Sequence, residues 1–226
     1  MKITEIFPSI QGEGVQIGVP TIFVRTAGCN LQCVHCDTRY SWHGGTEMTA
    51  QEIVCKISAF EGNKTNAQWV CITGGEPMIQ QDLGQVIHAI KAKGFLVSLE
   101  TNGTLFDEEA LFGLDFLSIS PKLPSMMVRA GPSIPVLKLL AKLPTPMQFK
   151  FVVDSTSDIT MIKKVLREVK LACPVVFQPN GMVSPEKYLD ELRWLWKEIQ
   201  DPAWYGKDIR LIPQLHVMLF QHQRSI

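Results

Sequence analysis

No sign of charge dominates this chain. Lysine and arginine together number 22, aspartate and glutamate 22, and the net charge is zero with neutral histidines. That balance gives no electrostatic basis for nucleic acid as a main partner. Long apolar runs are missing too: nothing approaches the roughly 20 residues that a membrane-spanning helix needs, so no membrane partner is expected. The opening MKITEIFPSIQGEG lacks an apolar signal-peptide core and carries Glu5 early, which makes the cytosol the expected compartment. There is no internal repeat and no low-complexity tract. What remains is a chain of 226 residues, 46% hydrophobic and 19% charged, with ample material for a core. It reads as one domain over 1–226.

A fourth metal ligand is also lacking. Cys29, Cys33 and Cys36 lie in AGCNLQCVHCDT with the spacing Cys-x3-Cys-x2-Cys. A closed structural zinc site takes four ligands, and His35, adjacent to Cys36, cannot easily turn back to the same metal. Three thiolates on a four-iron, four-sulfur cluster leave one iron open to a small molecule. The other thiols, Cys55, Cys71 and Cys173, fall within helical or strand patterns and read as buried core residues.

Short apolar runs alternate with amphipathic stretches. Strands are expected over 21–28, 69–73, 95–100, 116–120, 147–153, 174–178 and 208–216. Helices are expected over 49–61, where Thr49 and Glu52 suit a capping box, and over 82–93, stopped by Gly94. Further helices are expected over 133–142, 158–172 and 184–200, the last with Pro185 in its first turn. This alternation predicts an α/β fold with a parallel sheet. About six β/α units fall short of a closed eightfold barrel, so a partial, open barrel is expected. Polar and glycine-rich motifs follow five strands: AGCN, TGGEP, ETNGT, SPK and QPNG. In parallel α/β folds that rim carries the active site.

Gly74 and Gly75 allow a close backbone approach to a ligand, and Glu76 offers a carboxylate to an ammonium group. With TGGEP beside it, the cysteine loop resembles the signature of the radical S-adenosylmethionine superfamily. That resemblance implies that the open iron is chelated by S-adenosylmethionine, which is cleaved to a 5′-deoxyadenosyl radical. IFPSIQGEG, VPTIFVRTAGCNLQCVHCDT, ITGGEP, ETNGT, SPK and QPNG are, more narrowly, similar to the 7-carboxy-7-deazaguanine synthase family.

The resemblance implies a cluster on Cys29, Cys33 and Cys36. It implies S-adenosylmethionine contacts from His35, Cys36, Asp37, Gly75, Glu76, Ser120, Pro121, Lys122, Gln178, Pro179, Asn180 and Gly181, with Glu100 near the ribose. Ile10, Gln11, Gly12, Arg25 and Thr73 are implied to hold a pterin substrate, and Thr38 to bind Mg²⁺. The implied reaction converts 6-carboxy-5,6,7,8-tetrahydropterin to 7-carboxy-7-deazaguanine with loss of ammonia, on the route to queuosine. A flavodoxin or ferredoxin-type electron donor and a homodimer are implied as well. Arg25 suits a substrate carboxylate through its planar fork. Read without the resemblance, Thr38 is a turn residue. A glycyl-radical activase and a non-enzymatic zinc or iron-sulfur module are the competing readings. Trp194 and Trp196, two apart on one helix, point to different faces, and the histidines at 43, 88, 216 and 222 show no metal spacing. Leu215 and Val217 depart from the Gln-Thr-His-Lys run common near this family's C-terminus, which argues against substrate contact there.

Overall fold

Alternation along the strands decides this architecture. The computed structural model describes residues 1–60, 65–126 and 131–220. In chain order the elements are β1 (Lys2–Ile10), β2 (Pro20–Thr26), β3 (Thr46–Glu47), α1 (Ala50–Ser58), β4 (Trp69–Gly74), α2 (Leu83–Lys91) and β5 (Leu96–Thr101). Then follow α3 (Glu108–Leu111), β6 (Phe116–Ile119), α4 (Ile134–Leu140), β7 (Met147–Val153), α5 (Thr156–Glu168), β8 (Val175–Pro179), α6 (Pro185–Glu198), β9 (Ile209–Leu211) and α7 (Leu215–Phe220). The strand order is β3-β1-β2-β4-β5-β6-β7-β8-β9. From β2 to β9 every pairing is parallel, while β1 runs antiparallel to β2 and β3 antiparallel to β1. The sheet has two ends and does not close, as expected for a partial barrel.

Side chains alternate between the two faces of each strand. On one face Ile22, Val24, Val70, Ile72, Val97, Leu99, Phe149, Phe151 and Phe177 join the apolar stripes of the helices, including Ile53, Ile87, Leu137, Ile162 and Leu195. Each such side chain contributes about 1.5–3 kcal/mol on burial. Phe177 meets Phe151 and Trp204 edge-on, with centroids 6.4 and 5.2 Å apart. The opposite, concave face carries Arg25, Thr73, Glu100 and Lys150, all lining one cleft. Apolar alternate positions thus fix the helices outside and leave the polar ones inside.

Local signals set most boundaries. Thr49 and Glu52 form the reciprocal capping box of α1, Ser184 caps α6 ahead of Pro185, and Gly94 follows α2 with a φ of 91°. Three expectations need correction. The helix expected over 158–172 runs Thr156–Glu168, because Ser155 is its cap and buried Asp158 turns inward to accept from Ser125 and Asp154. The last strand stops at Leu211, two residues before Pro213, and the chain then turns into α7. Cys55, expected in the core, is exposed on α1. Trp194 packs on the core and Trp196 is exposed, as their spacing requires. Among the described residues no helix is long and apolar enough to cross a membrane.

The capping box gives a test of local stability. Thr49→Ala is expected to lower unfolding free energy by about 1 kcal/mol, read from the midpoint of urea denaturation with an unchanged slope.

Candidate active site

The cysteine loop leaves β2 at the carboxyl edge of the sheet and is fastened there by the turn after β4. Gly75 N donates to Thr26 O at 3.1 Å and Glu76 N to Gly28 O at 2.9 Å. The approach is too close for any side chain. A Cβ on Gly75 would lie 1.8 Å from Gly28 O, and one on Gly74, whose φ is +124°, would lie 2.4 Å from Thr26 N. The paired glycines therefore serve contact with the cysteine loop itself, a role their expected approach to a ligand did not anticipate.

Glu76 departs from its expected role. Its side chain is fully buried. One carboxylate oxygen accepts from Met78 N and the Thr101 hydroxyl, the other from Asn102 N. Burial pushes this carboxyl up, and those hydrogen bonds pull it back. Glu76 thus staples the ends of β4 and β5 rather than presenting a carboxylate to a ligand. Asn102 continues the brace to Asn30 in the cysteine loop at 2.9 Å.

Cys29, Cys33 and Cys36 all line a cleft of about 450 Å³. Burial pushes the Cys29 and Cys33 thiols up, while the Lys122 ammonium draws Cys33 down. Among the described residues no three Cys, His, Asp or Glu side chains converge on a point as ligands of one ion would. Three thiols in one loop, each partly open to the cleft, fit a polynuclear cluster in which each sulfur takes its own iron. Thr38 also lines the cleft, its hydroxyl 3.6 Å from Cys36 Sγ. His35 Nε2 lies 3.9 Å from Asp154 Oδ2.

Across the cleft lie the residues expected at a substrate. Arg25 Nε donates to Glu5 at 2.6 Å, and Tyr40 supports the same carboxylate at 2.8 Å. With Nε committed, the terminal nitrogens are the donors that a ligand carboxylate could take. Glu100, expected beside the cofactor ribose, accepts from Gln11 at 3.2 Å and from Thr73 at 2.7 Å. It therefore groups with the two residues expected at the substrate. Ile10, Gly12, Gly75, Asp37, Ser120, Pro121, Lys122, Asn180 and Gly181 line the same cleft. Gln178 and Pro179 do not: both are buried in β8, behind the turn that Asn180 and Gly181 present.

Several cleft residues escaped the sequence reading. Lys150 is 5% exposed and pairs with Glu13, itself in the QGEG loop. Burial pulls the Lys150 ammonium down to about 8, against which the adjacent carboxylate favours the charged form. Its signal was available: a lysine in the apolar alternation MQFKFVV, on the face shared with Gln148. The C-terminal segment also enters the cleft, through Gln214, His216, Val217 and Phe220. The departure at Leu215 and Val217 therefore falls in a segment that lines the cleft. Burial pulls the His216 imidazole down, opposed by the charge of Asp37. His222 lies outside the described residues.

Comparison with known proteins places this geometry in a lineage. A family model of the radical SAM superfamily matches residues 23–143. The 7-carboxy-7-deazaguanine synthase of Pyrobaculum aerophilum is 36% identical, across 100% of this chain and 97% of its own. The enzyme of the same name from Thermoplasma acidophilum is 33% identical, with 97% of each chain covered. The crystal structure of QueE from Escherichia coli has a TM-score of 0.71 and 25% identity, covering 95% of this chain and 94% of that one.

The glycine contact gives the test of how the loop is held. Gly75→Ala is expected to displace Gly28 and cut iron uptake on anaerobic reconstitution to less than half that of the unsubstituted protein. Full uptake by the variant would show that the contact does not position the thiols.

Proposed function

Because this chain belongs to the radical S-adenosylmethionine superfamily and, within it, to the 7-carboxy-7-deazaguanine synthases, we propose that it converts 6-carboxy-5,6,7,8-tetrahydropterin to 7-carboxy-7-deazaguanine with loss of ammonia. The observation that carries this reading is the meeting of two sets of residues in one cleft. The cysteine loop opens into it from the rim, Arg25, Thr73 and Glu100 from the concave sheet face, and Gln11 and Gly12 from the loop after β1. A four-iron, four-sulfur cluster and S-adenosylmethionine are the cofactors of this superfamily. With the cluster held by Cys29, Cys33 and Cys36, they would supply the radical chemistry that takes a hydrogen from the pterin and returns one.

The residues of the chain divide the remaining work. Cys29, Cys33 and Cys36 hold the cluster. His35, Asp37, Gly75, Ser120, Pro121, Lys122, Asn180 and Gly181 surround S-adenosylmethionine, and Glu76, Gln178 and Pro179 support that wall from behind. Arg25 takes the substrate carboxylate. Gln11, Thr73 and Glu100 hold polar edges of the flat bicycle, with Ile10 and Gly12 forming the loop around it. Thr38 offers one oxygen to Mg²⁺, which keeps several waters and takes few protein ligands. The ion would neutralise the substrate carboxylate and hold its oxygen during rearrangement. A flavodoxin or ferredoxin-type protein would deliver the electron, and the active form would be a homodimer.

Anaerobic incubation with the carboxytetrahydropterin, S-adenosylmethionine and a reductant is expected to yield 7-carboxy-7-deazaguanine and ammonia. S-adenosylmethionine cleavage without the deazaguanine would leave the superfamily and remove this reaction. Arg25→Ala is expected to raise substrate KM roughly 10- to 100-fold, the equivalent of a lost hydrogen bond to a charged group. Thr38→Ala should keep full cluster content and lose most of the response to Mg²⁺. An unaltered Mg²⁺ titration would take Thr38 out of the metal site.

A further inference from the structure

The segment after β9 lies between two loops to which the proposed function gives different ligands. Leu215 N donates to Gly12 O at 2.8 Å. The His216 ring is so near that a Cβ on Gly12 would lie 2.2 Å from Nδ1. Gly12 belongs to the substrate loop. On the other flank a Cβ on Gly181 would lie 2.3 Å from Gln214 Oε1 and 2.8 Å from Val217. Gly181 closes the turn on the cofactor side.

Gln214 is the residue that touches both. It is 5% exposed. Its Nε2 donates to one oxygen of Glu13, and the other oxygen accepts from Lys150. Its backbone N donates to the Tyr188 hydroxyl of α6 at 2.5 Å. Glu13 follows Gly12 directly, so Gln214 fixes the substrate loop. Gln214 Oε1 is buried with no hydrogen-bond partner among the described residues, and the same holds for both amide atoms of Gln178, two residues before Asn180. Unmatched buried amides are unfavourable. Gln214 thus sits at the junction of the two loops, where a small movement driven by one ligand can reach the other.

We propose that Gln214 is a positioning residue that couples the two sites, so that the pterin and S-adenosylmethionine each raise the other's affinity. The coupling is reciprocal by thermodynamic linkage. The side chain must be a neutral amide: Lys150 balances the one carboxylate of Glu13, and a second carboxylate at 214 would be left uncompensated. The proposal rests on the functional reading above, and its test separates the two.

The measurement is equilibrium binding of S-adenosylmethionine to the anaerobically reconstituted protein without reductant, with and without saturating carboxytetrahydropterin. In the unsubstituted protein the substrate is expected to tighten binding about fivefold or more. In Gln214→Ala and in the near-isosteric Gln214→Glu that factor should fall to about one, with KM raised and kcat changed less than KM. A purely structural role would lower the unfolding midpoint and both affinities in parallel while the factor survived, and that result overturns the proposal. So does an unsubstituted protein that turns over normally but shows no coupling. A protein that binds S-adenosylmethionine in neither condition overturns the functional reading, and this proposal with it.

Discussion

Two backbone hydrogen bonds, from Gly75 N to Thr26 O and from Glu76 N to Gly28 O, tie the cysteine loop to the parallel sheet. The rim of the cleft depends on them. The loop between β2 and β3 has little regular structure, and this contact, with Val34 N donating to Met126 O at 3.0 Å, helps give its thiols a defined place. Glycine at 74 and 75 is what allows the two backbones to meet. Glu76 then locks the arrangement from beneath, and Asn102 carries the lock back to Asn30. A side chain expected to address a ligand instead holds the geometry in which a ligand can be addressed.

The concave face follows a second constraint. Arg25, Glu100 and Lys150 are charged groups with little solvent, and burying an unpaired charge is costly. Each has a partner here: Arg25 has Glu5, Glu100 has Gln11 and Thr73, and Lys150 has Glu13. Removing one member of such a set strands the other, whereas an apolar replacement of the whole set would often be neutral or stabilising. Polar residues on this face are therefore expensive as architecture and reasonable as a binding surface. The 450 Å³ that they enclose suits a flat polar bicycle beside a cofactor.

The open parallel barrel was legible because strand and helix periods alternate cleanly from residue 21 onward, and because AGCN, TGGEP, ETNGT, SPK and QPNG punctuate the strand ends. β1 was not read as a strand, since its KITEIFPSI pairs antiparallel, with mixed burial and a proline. The rim residues were found through motifs. Lys150, Glu13, Gln214 and His216 were missed because they meet only in three dimensions: Glu13 and Gln214 are 201 positions apart. Glu76 was placed correctly in the chain and wrongly in space, because a turn's sequence does not tell whether its carboxylate faces in or out. Glu100 shows the same limit: it lines the cleft, and only the fold identifies Gln11 and Thr73 as its neighbours.

At the centre of the account stands an incomplete ligand set: three thiols in one cleft, proposed to hold a four-iron cluster with one iron left open. The most direct test is metal and sulfide analysis of the protein after anaerobic reconstitution. The account predicts about four irons and four sulfides per chain, with a brown chromophore that Cys33→Ala abolishes. One tightly bound zinc per chain, with no iron taken up, would contradict it.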